Sequence, residues 1–489
     1  MDLTNYLLMR QEISLMVVFL ILIIYDLFVK EKKYFQLVAC GLFLVHTIFG
    51  FFPQMFDYLI YGGFSAQTYG SSFSGMYVSG EIENTVKNIL NIGVFIVFLQ
   101  ANSWLVKEDT ILKRGEYFLL TLSTLLGMYL MISAGNFMMF YIGLEIASLP
   151  MAALIAFEKY KHNSAEAGAK YIFTAAFSSS IMLFGISLLY GSVGTLYFTD
   201  MAALLTQPTA LTIMAMIFTL SGLFFKISLV PFHFWTADAY EGAPTNVTAY
   251  LSTISKGAAV FALMSILYRV FGSFVTEWQS VLWWLVLISI TIGNLFALRQ
   301  KNMKRFLAFS SISQAGYIVL AVMAGTALGM TSTVYYILVY IVSNLAVFGV
   351  ANIIDSRTGK TQISDYNNLY QTNPKLALIM MIAMFSLGGI PPTAGFFSKF
   401  FAFTAAAQQG FYVLLLLALI NTVISLYYYL LVVKAMFIGY KDGPEPIEKI
   451  KSDNYLKVSL VICLTGMFVL GFTSGIFEYL KTISFGIIQ

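Results

Sequence analysis

Five ionisable residues lie inside long apolar segments of the chain, where charged side chains are rare. They are Lys226, Lys256, Lys399, Lys434 and Glu145. A charge near the centre of a bilayer costs from about 3 to more than about 10 kcal/mol, so it is usually kept only where it is paired or handles ions or protons. Because lysine and glutamate exchange protons, this set predicts a membrane protein that translocates ions.

The composition excludes an ordinary soluble enzyme. Of the 489 residues, 59% are hydrophobic and 11% are charged, whereas soluble domains carry about 25% charged residues.

Arg10 and Glu12 precede the first apolar run, and no small-residue cleavage site closes it, so we interpret it as a retained helix and not as a signal peptide. Apolar runs long enough to cross about 30 Å of hydrocarbon predict fourteen transmembrane segments, at 12–30, 35–55, 86–105, 116–134, 136–157, 168–190, 208–230, 247–268, 279–298, 304–324, 333–353, 376–405, 410–437 and 457–477.

Motifs for metal or nucleotide binding do not occur in the sequence. Cys40 and Cys463 are the only cysteines and form no CxxC pair. The histidines, His46, His162 and His233, are scattered, and no GxGxxG follows a predicted strand. His46 has no titratable neighbour in the sequence, and we assign it no role. We therefore expect no redox cofactor in this chain and place any electron chemistry in another subunit.

Basic residues divide unequally between the two sets of alternating loops that fourteen segments create. One set holds 20 of the 28 basic residues: Lys30, Lys32, Lys33, Lys107, Lys113, Arg114, Lys159, Lys161, Lys170, Arg299, Lys301, Lys304, Arg305, Arg357, Lys360, Lys375, Lys441, Lys449, Lys451 and Lys457. The other set holds Arg10, Lys87, Arg269 and Lys481, and the remaining 4 are the intramembrane lysines. Because basic loops stay on the cytoplasmic side, this split predicts that both termini lie outside.

Two segments combine glycine and proline with a lysine. The seventh contains SGLFFKISLVPFH (221–233), and the twelfth contains LGGIPPTAGFFSK (387–399). Proline removes a backbone donor, and the freed polar groups need partners or water within a membrane. Paired interruptions of this kind are typical of transporter ion sites, and their spacing of five helices predicts an inverted repeat. A plain kink remains the alternative for each segment.

Glu145 is the only acid that the segments place at mid-depth, and its natural partner is a lysine. If the carboxylate moves toward or away from the lysine, the lysine gains or loses a proton. The pair is therefore predicted to be a pump element. A static buried ion pair is the alternative. Small residues near it, such as Gly143 and Ala147 in the fifth segment and Gly168 in the sixth, predict close helix packing.

The remaining candidates differ in their surroundings. Ser252, Thr253 and Ser255 precede Lys256 and predict a hydroxyl-lined, hydrated site around it. Lys434 lies near a segment end, where its stem reaches the interface, so we predict a structural role. His233 follows the break of the seventh segment and is a candidate proton relay, with a satisfied interfacial histidine as the alternative.

Several motifs together make the chain recognisable. They are FKISLVPFHFW (225–235), DAYEGAPTNVT (238–248), GLE (143–145), LFGISLLYG (183–191), KRFLAFSS (304–311) with Gly316-Tyr317, and NTVISLYYY (421–429). From about residue 115 to 440 the chain resembles the antiporter-like membrane subunits of proton-pumping NADH–quinone oxidoreductase (respiratory complex I), and among them the subunit N family. One departure is Ala237, where the family commonly has proline.

The resemblance implies an all-α polytopic fold of about fourteen helices with two inverted five-helix repeats, broken at the seventh and twelfth. The implied division is 1–114 for helices 1–3, 115–270 for the first repeat, 271–440 for the second, and 441–489 for the last loop and helix. The family's glutamate–lysine pair falls on Glu145 and Lys226, its central lysine on Lys256 and its second-half lysine on Lys399. A lysine at 399 is typical of subunit N, whereas the sibling subunit M carries glutamate there.

The same resemblance implies proton translocation driven by quinone reduction elsewhere in a complex. Flavin, iron–sulfur clusters and quinone are expected in partner subunits, with no cofactor or metal here. The expected partners are other membrane subunits, including the sibling antiporter-like ones, and the lipid bilayer, with no nucleic acid. The expected location is a bacterial inner membrane with both termini periplasmic. The alternatives are a subunit of a multisubunit cation/proton antiporter, the equivalent subunit of a photosynthetic complex I-like enzyme, and a structural scaffold, which needs no mid-membrane lysines.

Overall fold

The computed structural model describes residues 6–29, 34–52, 69–439 and 444–488, which form a helical bundle with one small hairpin. The N-terminal part contains α1 (Arg10–Phe28), α2 (Phe35–Phe51), β1 (Gly70–Ser72), β2 (Tyr77–Ser79), α3 (Glu81–Leu105) and α4 (Glu108–Ile111). Next come α5 (Arg114–Ile132), α6 (Phe137–Ile155), α7 (His162–Val193), α8 (Phe198–Leu204), α9 (Ala210–Ile227), α10 (Phe234–Gly242), α11 (Thr245–Tyr250) and α12 (Lys256–Arg269).

The second half continues the same pattern of long helices with short connections. It contains α13 (Val275–Ala297), α14 (Met303–Val322), α15 (Ala327–Thr358), α16 (Leu369–Thr372), α17 (Pro374–Gly388), α18 (Ala394–Gln408), α19 (Tyr412–Phe437), α20 (Asn454–Phe472) and α21 (Gly475–Ile483). Four basic residues of the predicted loops, Lys30, Lys32, Lys33 and Lys441, lie outside the described residues.

Within the described residues, twelve helical stretches are long and apolar enough to cross a membrane, counting α11 and α12 as one. The shorter apolar helices α2 and α17 occupy two further predicted segments. The prediction of an all-α polytopic membrane protein is confirmed, with the antiparallel β1–β2 hairpin as a small addition. The count of fourteen crossings, the inverted-repeat relationship and the division into four domains stay predictions.

Three helical stretches form the centre of the bundle. The apolar windows of Thr245–Arg269 and α15 are 100% buried and that of α14 is 94% buried, whereas that of α1 is 28% buried. A helix that is apolar and covered on every side belongs to the core, and one with an open apolar face belongs at the lipid boundary. The central position matters because these stretches contain Lys256 and the side chains that surround it.

Both predicted helix breaks are present. Helix α9 ends where Ser228 takes a left-handed conformation (φ 66°), and α10 begins after Pro231. Helix α17 ends in the same way at Gly389 (φ 86°), before Pro391-Pro392 and the start of α18. Glycine suits that position because a side chain there would be strained, and its Cβ would lie 3.1 Å from the Lys399 side chain.

A third irregularity was not predicted. Between α11 and α12 the residues Leu251–Ser255 form a π-helical turn directly before Lys256. Such turns are rare, and they occur frequently at functional sites.

Close packing of α5 on α6 follows from their glycines. A Cβ added at Gly127 would lie 2.3 Å from the backbone N of Ala147, and one at Gly143 would lie 2.6 Å from the backbone N of Met131. The backbones therefore touch where only glycine fits, as the small residues of the fifth segment predict. This contact fixes the helix that carries Glu145.

Candidate functional site

Lys226 lies in the last turn of α9 and is 4% exposed. Its Nζ donates to the Tyr171 hydroxyl at 3.2 Å and to the Ala147 carbonyl at 3.4 Å. Both partners are neutral. The break after Ile227 leaves the negative end of the α9 dipole beside this lysine, which favours an ammonium.

Glu145 is half-buried on α6, two residues before the carbonyl that Lys226 contacts. Its Oε1 is buried without a hydrogen-bond partner. Among the described residues it forms no ion pair within 4.0 Å with Lys226 or with any other basic side chain. The two residues of the predicted pair are therefore not ion-paired in this structure, although Lys226 contacts the helix that carries Glu145.

Lys256 is 3% exposed at the start of α12. Its Nζ donates to Ser311 Oγ at 2.8 Å and lies 5.6 Å from the centre of the Tyr240 ring. Of the predicted neighbouring hydroxyls, those of Ser252 and Thr253 donate to the Ala249 carbonyl of their own helix. In a helix, serine and threonine commonly bond back to a preceding carbonyl. The hydroxyl that reaches Lys256 comes from α14.

Lys399 lies on α18 just beyond the second break and is 4% exposed. Its Nζ donates to the carbonyls of Leu387 at 2.9 Å and Gly388 at 3.0 Å. These are the last carbonyls of α17, which lack partners within their helix. The Nζ also lies 5.2 Å from the centre of the Tyr317 ring. The broken helix thus supplies the ammonium with neutral acceptors.

Polar side chains on one turn of α14 lie between Lys256 and Lys399. Ser311, which binds Lys256, lies three residues before Gln314 on α14. Gln314 Nε2 donates to the Leu387 carbonyl at 3.0 Å, and the same oxygen accepts from Lys399. On the opposite side, aromatic side chains lead toward Lys226: Tyr171 packs on Trp235, Trp235 packs on Tyr240, and Tyr240 lies beside Lys256. We call this series from Lys226 through Lys256 to Lys399 the lysine row.

The other two candidates lie outside the lysine row. Lys434 is exposed in the last turn of α19, as expected for a side chain that reaches the interface. His233 lies just before α10, where its Nδ1 is buried without a hydrogen-bond partner and its ring packs on Phe234. Its role as a relay stays a prediction.

Two basic residues that the sequence placed in loops belong instead to buried or partly buried ion pairs. Lys87 lies within α3, is 0% exposed, and donates to Glu12 Oε1 at 2.6 Å and to the Tyr77 hydroxyl at 3.1 Å. Arg269 closes α12 and pairs with Glu83. No local pattern could reveal the Lys87–Glu12 pair, because its members lie 75 residues apart.

One end of the bundle gathers many of the basic loop residues, and we call it the basic end. A cleft of about 560 Å³ opens there between α7, α10, α14 and α15. Its walls include Lys107, Glu158, Lys161, Lys304 and Asp355. The floor contains Thr245, whose hydroxyl donates to Asp355 at 2.5 Å. The cleft therefore reaches the start of the helical stretch that carries Lys256.

Beside this cleft, Asp238 on α10 joins α7 to α14. It accepts from Lys170 at 2.7 Å and from Arg305 at 2.9 Å, and Arg305 also binds Glu241 at 2.7 Å. Burial alone would raise the pKa of Asp238, but the hydrogen bonds from the two basic residues outweigh it and hold the pKa below its ordinary value. The cluster ties the short helix after the first break to both neighbours.

Within the described residues, no group of three or more His, Cys, Asp or Glu side chains is arranged to hold a metal ion. Cys40 and Cys463 are both buried and unpaired. The buried lysines described above are set among hydroxyl, amide and carbonyl groups.

Comparison with known proteins places this arrangement in a family. The family described as NADH:quinone oxidoreductase/Mrp antiporter, TM, matches residues 134–425, more than half of the chain. NADH-quinone oxidoreductase subunit N of Azobacteroides pseudotrichonymphae is 54% identical over 100% of both chains. Subunit N of Phocaeicola vulgatus is 53% identical over 98% of this chain and 99% of its own.

Among solved structures, a chain of respiratory complex I from Thermus thermophilus aligns with a TM-score of 0.79 and 28% identity, covering 97% of this chain and 100% of its own. Two relatives share more than half of their sequence with this chain over nearly its full length, and a solved structure shares its fold. The chain belongs to the NADH-quinone oxidoreductase subunit N family, the antiporter-like membrane subunits of complex I.

Proposed function

We propose that protons cross the membrane through this subunit along the lysine row, with Lys226, Lys256 and Lys399 as carriers and Glu145 as the group that controls Lys226. As a complex I membrane subunit, the chain works beside other membrane subunits. Quinone reduction occurs elsewhere in the complex, in the partner subunits where the flavin, iron–sulfur clusters and quinone are expected. It supplies the free energy that moves protons here.

One observation carries this proposal: three buried lysines have no carboxylate partner within 4.0 Å among the described residues. Burying an unpaired ammonium costs several kcal/mol, and a buried group tends to lose its charge instead. A lysine that is neutral for part of the time accepts and releases a proton. If these side chains only formed structural hydrogen bonds, glutamine or serine would form them equally well without the cost of burying a charge.

Glu145 would act on the first carrier through its charge. At an effective dielectric constant of about 20, an acid about 7 Å away stabilises an ammonium by about 2.4 kcal/mol. This corresponds to roughly a 50-fold change in proton affinity. A small movement of Glu145 toward or away from Lys226 therefore loads or unloads the proton. Because the two are not bonded to each other in this structure, such a movement breaks no ion pair.

The cleft at the basic end is the proposed site of proton uptake. It contains charged and polar side chains that hold water well, and it ends at Thr245 near the base of the central helices. By the distribution of basic residues, this end faces the cytoplasm of a bacterial cell, and both termini face the periplasm. Protons would pass from the cleft to Lys256 and along the lysine row.

The test is proton uptake by the purified complex in sealed vesicles without sodium, driven by NADH and followed with a pH dye. Wild-type complex is expected to pump, and Lys256→Ala is expected to lose pumping at equal complex content, while Lys434→Ala serves as a lysine control outside the lysine row. Full pumping by Lys256→Ala would overturn the proposal. A strict need for sodium would instead support a cation/proton antiporter.

A further inference from the structure

A second buried titratable site lies among the N-terminal helices, away from the lysine row. His46 on α2 is 1% exposed, and both of its ring nitrogens have hydroxyl partners. Ser14 Oγ lies 2.5 Å from Nδ1, and the Tyr129 hydroxyl lies 3.1 Å from Nε2. The ring thus bridges α1 and α5. Every partner in this series is a group that both donates and accepts a proton.

We propose that Ser14, His46 and Tyr129 form a proton-release path that opens at the end of the bundle opposite the basic end. This inference rests on the proposed function, because it supplies the outward leg for protons that the lysine row carries. We call the three residues the histidine relay.

The outer end of the histidine relay meets a cleft. Ser14 lines a cleft of about 200 Å³ together with Gln11, Asn84 and Asn88, between the start of α1, the end of α2 and the start of α3. Helix α3 runs from this cleft, at Glu81, to Leu105, which lies next to Trp104 of the basic-end cleft. The two clefts therefore lie at opposite ends of one membrane-length helix. Ser14 is the member of the histidine relay that reaches this polar cleft.

The inner end of the histidine relay points toward the central helices. Tyr129 donates to Asn91 Oδ1 on α3. Five residues earlier on α5, about 7.5 Å along the helix axis, the Thr124 hydroxyl lies 2.7 Å from that of Tyr250. Tyr250 directly precedes the π-turn that ends at Lys256. This hydroxyl pair thus joins α5, the helix of Tyr129, to the helical stretch that carries Lys256.

The buried Lys87–Glu12 pair holds this region in place. Lys87 Nζ lies 5.5 Å from the centre of the Tyr129 ring and is fixed by Glu12 and the Tyr77 hydroxyl. Glu12 also accepts from Tyr77 at 2.9 Å. The paired charges favour a fixed position for the Tyr129 ring, so we regard Lys87 and Glu12 as positioning residues for the histidine relay.

Transfer through the imidazole conserves protons. In the tautomer with the ring proton on Nδ1, the Tyr129 hydroxyl turns from Asn91 to Nε2, and a proton arriving at the Tyr129 oxygen lets the original hydroxyl proton move to Nε2. The Nδ1 proton then passes to Ser14 Oγ, and the Ser14 hydroxyl proton leaves to water in the cleft. One proton enters and one leaves, and the ring is left with its proton on Nε2, the tautomer in which the Tyr129 hydroxyl donates to Asn91. A buried imidazole needs a partner on each ring nitrogen in any role, but packing alone does not require that one of these partners, Ser14, also lines a cleft.

The test uses the assembled complex in sealed vesicles. His46→Gln keeps hydrogen bonding but cannot carry the proton, and Tyr129→Phe keeps the ring but removes the hydroxyl. Because a positioned proton-transferring side chain contributes about 100-fold or more to its step, each variant should lower proton uptake at least about tenfold. Thr47→Val is the matched control, because Thr47 is the buried neighbour of His46 and, among the residues that the structure describes, its hydroxyl bonds to the Phe43 carbonyl of its own helix, at 2.8 Å.

A second measurement examines the cleft itself. Ser14→Cys should react with a charged, membrane-impermeant thiol reagent added on the side opposite the basic end, and the reaction should stop pumping. Reaction from the basic side alone would overturn the proposal, because it would place this end of the histidine relay on the uptake side.

The outcomes separate this inference from the proposed function. Pumping by both His46→Gln and Tyr129→Phe equal to that of Thr47→Val, with Lys256→Ala inactive, would overturn the release path alone. Full pumping by Lys256→Ala as well would overturn the proposed function. If His46→Gln does not assemble, Tyr129→Phe decides, since it leaves the ring packing intact.

Discussion

Lys256 and Lys399 are joined through one turn of helix α14. Ser311 binds the first lysine, Gln314 lies three residues later, and Gln314 and Lys399 share the Leu387 carbonyl as acceptor. The two lysines come from helices α12 and α18, far apart in the sequence. A single turn of a buried helix therefore lies between the proposed carriers of the two halves.

Gln314 is the first residue to test. It donates to the Leu387 carbonyl and the Tyr429 hydroxyl and accepts from Tyr336 at 2.7 Å. Gln314→Leu should reduce proton uptake because it interrupts the lysine row, with a stability cost of about 1–3 kcal/mol from unsatisfied partners. Gln100→Leu is the control, since Gln100 is equally buried and bonds a carbonyl of α15. Equal pumping losses in the two variants, measured in sealed vesicles, would contradict a special role for Gln314.

Lys256→Arg separates charge from proton exchange. Arginine keeps the positive charge but does not deprotonate in proteins. If Lys256 passes through a neutral form, the arginine variant should pump nearly as poorly as Lys256→Ala. Initial rates of dye response at matched complex content measure this difference. Normal pumping by the arginine variant would mean that only the charge is needed.

Glu145 and Lys226 should act as a coupled pair. Glu145→Gln and Lys226→Ala are each expected to reduce pumping and the coupled quinone reductase rate while the complex assembles. The double variant should be little worse than either single variant, because each removes the same interaction. Additive losses would indicate two independent roles, and an assembly defect with normal turnover would favour a structural pair.

Lys399 and Lys434 form a natural comparison within the second half. Lys399 is buried against the carbonyls of the second break, whereas Lys434 is exposed near a helix end. Lys399→Ala should abolish most pumping, and Lys434→Ala should cost less than about 1 kcal/mol of stability, as ordinary surface substitutions do. Proton uptake of the two variants at equal complex content is the measurement. A greater loss from Lys434→Ala would reverse the assignment.

The ion pairs of Asp238 with Lys170 and Arg305 at the basic end should be sensitive to acid. The pKa of Asp238 in the folded protein is below the ordinary 3.8. The ionised carboxylate therefore stabilises the fold above pH 3.8, and this contribution is lost as the pH falls through the pKa of the folded protein. The partly exposed pairs with Lys170 and Arg305 limit this contribution to about 1 kcal/mol. Asp238→Asn should therefore lower the temperature at which this subunit unfolds in the purified complex at pH 7, and the difference from wild type should shrink below pH 3.8. Asp200→Asn is an exposed control. A difference that does not change with pH would contradict the assignment.

The sequence alone determined the membrane architecture and the proposed carriers. Hydropathy over 18 or more residues is a local property, so the apolar helices follow from it, and so do the breaks beside Lys226 and Lys399, where glycine and proline stand in the chain. A lysine in such a segment is visible without knowing its surroundings. The exposed position of Lys434 at a helix end also agrees with the local pattern.

Only the tertiary structure decided what each of these side chains contacts. The hydroxyl beside Lys256 belongs to Ser311, 55 residues away, and the partner of Lys87 is Glu12, 75 residues away. The π-turn before Lys256 has no composition signal, and His46 gained a proposed role only when α1 and α5 placed hydroxyls on both of its nitrogens. Local patterns describe which residues enter the membrane, but the distances between helices depend on packing, such as the glycine contact between α5 and α6, and packing involves residues that are far apart in the chain.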